Sequence, residues 1–235
     1  MRKSGIAAAL AGALAASSAF AQTAAPQPAA TPAPQRLRGT IQAYDPMSRM
    51  LTVATAKTAT ATVTLPANLR IVYDQHRKVA DIKQGDFIGA AALKGADGKL
   101  RAQQVAVFPE ELRGMGEGQY PMGDAASNRL MTNATVSGVT AAAPNNGTVS
   151  VTYRGAQAGA DGVCGGHAAA GSAGGCSGDA QIVVAPGIPV IALMLGDETL
   201  LVPGAAVSVT AATTPEGTLQ ATRLTVEKDG VKPIL

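Results

Sequence analysis

Three side chains in this 235-residue sequence have types and spacing that suit chemistry: Cys164 and His167, in the run Cys164-Gly165-Gly166-His167, and Cys176 beyond them. They include both cysteines and one of the two histidines in the chain. In an oxidising compartment an even pair of cysteines reads as a disulfide, and closing a loop of this size constrains the unfolded chain by about 2–3 kcal/mol. The alternative is a metal site. Two thiolates and an imidazole suit zinc or copper(I), and Asp161 or Asp179 would supply a fourth ligand. Against it, the spacing is not that of a zinc finger, and a loop built mainly of Gly, Ala and Ser is entropically costly to organise around an ion. Free, unused thiols are the third reading. Thioredoxin-like redox chemistry needs a Cys-x-x-Cys pair at a helix start, which this sequence lacks.

The remaining candidates are weaker. His76, between Gln75 and Arg77, reads as a solvated loop residue without a partner nearby in sequence. Gly114, Gly116 and Gly118 have the spacing of a phosphate loop but not its strand-to-helix setting, so they read as a flexible or tightly turned connector. Glu110 and Glu111 are adjacent, which on a strand puts them on opposite faces, and they read as solvated. No Gly-x-Ser-x-Gly, no His-Glu-x-x-His and no assembled triad is present, so the expectation is a non-enzyme with no catalytic residue and no cofactor. There is no Trp, and Tyr44, Tyr73, Tyr120, Tyr153, Phe87 and Phe108 are the aromatics outside the amino-terminal segment; the strand aromatics Tyr44, Tyr73, Phe87 and Phe108 alternate in a way that suggests core or rim packing. Without a stacking platform or a Lys/Arg run, nucleic-acid binding is disfavoured.

The elements that must position these residues read as strands. Val, Ile and Thr are enriched, apolar residues alternate with polar ones, and Asp45-Pro46, Asp97-Gly98, Asn146-Gly147 and Glu216-Gly217 punctuate the runs as turns. An internal repeat organises them. Residues 81–107 align without a gap onto 200–226 at a constant offset of 119, so that Gly85 meets Gly204, Gly98 meets Gly217 and Val107 meets Val226. Upstream, Leu51-Thr52-Val53 matches Val149-Ser150-Val151, and Gly39-Thr40-Ile41 matches Ala134-Thr135-Val136. The expected fold is all-β, with two tandem small OB-like or Greek-key barrel units related by internal duplication, over residues 36–108 and 133–228. Residues 109–132 connect them, a Gly-rich insertion at 155–179 interrupts the second unit, and 229–235 form a tail.

The pattern Gly39-Thr40-Ile41, Leu51-Thr52-Val53, Asp81-Ile82-Lys83-Gln84-Gly85-Asp86 and Asp97-Gly98-Lys99-Leu100-Arg101-Ala102 resembles the exported bacterial small β-barrel family known as domain of unknown function 5666. The resemblance is one of strand-and-turn grammar; it implies a fold and no activity. The connector from Arg113 through Gly118-Gln119-Tyr120-Pro121 is also similar to a segment of uncharacterised exported proteins, some with His where this chain has Gln119, a departure that argues against a metal site there.

The amino terminus has the three parts of a secretory signal: Arg2 and Lys3, the apolar run 6–20, and small residues at Ala19-Phe20-Ala21, with cleavage expected before Gln22. The run is shorter than the roughly 20 strongly apolar residues of a membrane span. Removing residues 1–21 takes away two of the 19 basic residues and none of the 16 acidic ones, leaving a net charge of +1. Residues 22–35, almost wholly Ala, Pro, Thr and Gln, read as a disordered linker. The expectation is a soluble periplasmic or secreted protein with a binding or structural role toward an unknown protein or envelope partner. Metal handling through Cys164, His167 and Cys176 is the alternative. An enzyme would need a pocket between the units lined by Arg, Asp and Glu from both.

Overall fold

The computed structural model describes residues 33–56, 60–123, 128–160, 162–168 and 175–234. The expected signal segment, most of the expected linker, and Asp161 lie outside the described residues. The chain is all-β. Its first half gives β1 (Gln35–Asp45), β2 (Met50–Thr55), β3 (Ala61–Thr64), β4 (Ile71–His76), β5 (Phe87–Lys94) and β6 (Leu100–Phe108), followed by a connector carrying β7 (Gly118–Pro121). The second half gives β8 (Arg129–Ala143), β9 (Asn146–Gly155), the short β10 (Gln157–Ala158) and β11 (Cys164–His167), then β12 (Cys176–Val184), β13 (Val190–Gly196), β14 (Ala206–Thr213) and β15 (Leu219–Val226). Single 3-10 turns at Val79–Asp81 and Glu198–Leu200 precede β5 and β14, where Gly85 and Gly204 take φ of +91° and +92°. Only glycine adopts that backbone without steric cost, which is why both copies carry it.

The strands close into two five-membered rings, and each ring draws on both halves. Ring one is β1–β2–β3–β15–β14, closed by the β14–β1 ladder and by a parallel Gln220–Thr64 pair. Ring two is β5–β6–β12–β9–β8, closed by the β5–β8 ladder and by the parallel pairs Ile182–Leu100 and Val183–Arg101. Barrel formation therefore follows a different path from the contiguous units at 36–108 and 133–228. The first three strands of one half take the last hairpin of the other. The cause is β4, which runs antiparallel to β13 and carries the chain out of ring one before β5 begins.

The swap is symmetric to the residue. Leu224 pairs with Ile71 and Val105 with Val190, which is one pairing repeated at the offset of 119. The bulge between Ala91 and Ala92 in β5 recurs between Thr210 and Ala211 in β14, and that between Ile41 and Ala43 in β1 recurs between Val136 and Gly138 in β8. Leu193 faces Asp74 in the β4–β13 ladder, and these two positions are each other's repeat equivalents. A pseudo-twofold axis passes between them.

Each ring has its own aliphatic core. Ile41, Leu51, Val53, Val63, Val207, Val209 and Leu224 fill ring one. Ile88, Val105, Val136, Val149, Val151 and Ile182 fill ring two, with Tyr153 and Cys164 at one end. Alternation along the strands aims these residues inward, and closure removes the open sheet edges. A third, smaller cluster of Val72, Ala106, Leu112, Ile191 and Leu193 lies on the β4–β13 pair, with Phe108 and Ile234 against it.

Two local expectations are corrected. The β8–β9 turn is Pro144-Asn145, because Ala143 pairs with Asn146. Gly147 is needed for close approach instead: a Cβ there would stand 2.6 Å from the Thr140 carbonyl oxygen. His76 is exposed, but it ends β4 opposite Ile191 and is not a loop residue.

Candidate functional site

The sequence-predicted residues gather at the outer end of ring two. The Cys164 and Cys176 sulfurs are bonded at 2.00 Å, with Cα atoms 5.5 Å apart. Cys164 is buried against Tyr153, whose hydroxyl donates to the Cys164 carbonyl at 2.9 Å. Gly178 makes room for that ring, since a Cβ there would meet it at 2.6 Å. The last four residues of the predicted insertion belong to β12, where Cys176 pairs with Gly155. The insertion also meets the connector, which the sequence did not indicate: β11 pairs with β7, setting Gly166 opposite Gln119 and His167 opposite Gly118. Glu117 fixes this junction. Buried at its carboxylate, it accepts the Arg154 backbone amide at 3.1 Å and the Arg154 guanidinium at 3.1 and 2.7 Å.

His167 is drawn to an aromatic ring and not to the sulfurs, its imidazole centre lying 3.7 Å from that of Tyr120. Asp179 is exposed and accepts from the Thr152 hydroxyl at 2.7 Å. No group of three or more metal-ligating side chains occurs among the described residues. With both sulfurs in a disulfide, neither is a thiolate ligand. Gln119 donates to Thr132 at 3.1 Å, and Asn133 ties down the connector by donating to the carbonyls of Met115 and Gly116 at 3.2 and 3.0 Å.

A second polar cluster closes one end of ring one. Arg49 sits in the left-handed region at φ +53°, uncommon for a residue with a side chain. Its guanidinium donates to the Leu65 carbonyl at 2.9 Å and the Pro66 carbonyl at 3.3 Å, and is ion-paired with Glu198. The Tyr44 hydroxyl is buried beside Glu198. Burial, then the carboxylate, pushes that phenol up. Tyr44 and Arg49 in turn hold Glu198 below the usual range. Arg49, Arg70, Glu111, Asp197 and Glu198 line an open hollow of about 370 Å3 here, bringing Arg, Asp and Glu together from both halves.

Between the rings lies a larger cleft of about 430 Å3. Its walls are mainly apolar: Leu69, Val72, Phe108, Leu112 and Leu193 line it, with Thr222 on one side. Val72 and Leu193 come from β4 and β13, so the central pair that joins the halves also forms a wall of the cleft. The charged groups lining it are Arg70 and Arg223. Asp74, on the same face as Val72, is 1% exposed, and one of its oxygens accepts the Ile234 amide at 2.9 Å while the other has no partner. Burial raises its carboxyl above the usual range, opposed by the Ile234 amide and by His76.

The cleft was not legible in the sequence because its residues come from separate strands brought together by the swap. One signal was present. Both cleft arginines are departures from the repeat, Arg70 standing where the second half has Pro189 and Arg223 where the first has Gln104. A scan against protein-family models, a search of curated proteins and a search of solved structures each found no match.

Proposed function

We propose that the chain is an exported, non-enzymatic binding protein that holds a small ligand with an apolar body in the cleft between its rings. The 430 Å3 cleft carries this reading. Its size and its largely apolar lining with few polar groups are those of small-molecule sites. General acid–base chemistry needs a group that gains and loses a proton near neutrality, and arginine stays protonated. The charged side chains lining the cleft are two arginines. The amino-terminal signal pattern and the Cys164–Cys176 bond support export to an oxidising compartment. No helix among the described residues is long and apolar enough to cross a membrane.

Titration with the uncharged solvatochromic dye Nile red tests the cleft. Saturable one-to-one binding is expected in the wild type and its loss in Thr222→Trp, which fills the space from an exposed wall position and leaves the cores intact. Binding that is absent, or indifferent to Thr222→Trp, would refute the cleft as the site. Metal handling through Cys164, His167 and Cys176 is the rival reading and needs free thiols. Mass spectrometry of protein prepared without chelators decides it: a mass about 2 Da low with no metal supports the disulfide, and stoichiometric metal on unpaired thiols overturns it.

A further inference from the structure

The two arginines of the cleft, Arg70 and Arg223, take no part in an ion pair among the described residues. The parallel register that sets Leu224 against Ile71 places them at neighbouring positions on β15 and at the start of β4. Arg223 lies in one cross-strand row with Arg36, through Thr210, and Arg38 follows two residues along β1. The ion pairs among the described residues engage Arg49, Arg101, Arg113 and Arg154 instead. Arg223 reaches the Met115 sulfur at 4.0 Å, and Arg70 donates to a backbone carbonyl, that of Glu111. Arg38 donates to the Ile234 carbonyl at 3.1 Å.

Like charges gathered in this way repel one another. The Arg36 guanidinium is depressed by burial and further by Arg38 and Arg223. A planar guanidinium is suited to grip a carboxylate through two parallel hydrogen bonds, and two adjacent ones offer a fork at the rim of an apolar chamber.

We infer that the ligand is an amphipathic carboxylate, its apolar body against Val72, Phe108, Leu112 and Leu193 and its head group held by Arg70 and Arg223. This rests on the cleft being the binding site. The full-length mature protein is titrated calorimetrically with dodecanoate below its micellar concentration, with dodecan-1-ol, and with acetate. Dodecanoate is expected to bind roughly tenfold or more tightly than dodecan-1-ol, the scale of a charge-assisted contact, and acetate not measurably. Arg70→Gln with Arg223→Gln, both at exposed positions, brings dodecanoate down to the level of the alcohol and leaves the alcohol unchanged. Equal binding of acid and alcohol, or an unaltered preference in the double variant, would overturn the carboxylate inference while the Nile red result still upholds the cleft. Acetate bound as tightly as dodecanoate would also overturn it, by separating the anion from the apolar chamber. If neither long-chain compound nor Nile red binds, the cleft reading itself fails.

Discussion

Asp74 is a carboxylate held out of solvent at 1% exposure. It stands on the pseudo-twofold axis opposite Leu193, almost fully buried, with one carboxylate oxygen anchoring Ile234 of the tail and the other without a partner. Burial disfavours the charged form, so its folded pKa lies above the unfolded value and ionised Asp74 opposes folding at neutral pH. That cost is relieved as pH falls through the raised folded pKa. Asp74→Asn keeps the acceptor for the Ile234 amide and removes the charge. It should stabilise the protein at pH 7, and the gain should shrink toward the ordinary carboxylate pKa near ~4. Denaturant unfolding of both proteins between these pH values checks it; a pH-independent gain, or a loss at neutrality, would show that the carboxylate is not penalised. Nothing in the sequence around Tyr73-Asp74-Gln75 marked this position, because its burial comes from residues far along the chain.

The strands themselves were largely readable. Turn residues placed the starts of β5 and β14 and the Gly98 and Gly217 hairpins, since each depends on local backbone preference. The β7–β11 pairing was not readable, because short glycine-rich strands carry almost no hydrophobic pattern. It has a strict requirement nonetheless. A Cβ on Gly118, at φ +141°, would stand 2.0 Å from the Gly166 carbonyl oxygen. Gly118→Ala should therefore part the connector from the disulfide loop, and limited proteolysis should cut near His167 faster than in the wild type; equal resistance would mean that the two segments do not depend on each other. The disulfide belongs to the same element. Replacing Cys164 and Cys176 together with Ala should lower unfolding free energy by about 2–3 kcal/mol, measured in denaturant, with the β spectrum retained because both rings close without the loop tip.

For the whole molecule, the sequence led to an expectation of two similar halves but did not indicate how they combine. The path of β4 across to β13 separates a tandem array from the interlocked one observed. The consequence is functional as well as topological. Interlocking makes β4 and β13 a shared wall between the rings, and the cleft with its arginines exists only when both halves are present. The direct test is to split the chain in the β7–β8 connection and express residues 33–123 and 128–234 separately and together. Each half alone lacks the closing hairpin of its own ring, so the account predicts that the halves co-purify in equal amounts as one folded species and that neither alone is a folded monomer. Two halves that each fold as independent monomeric barrels would contradict it.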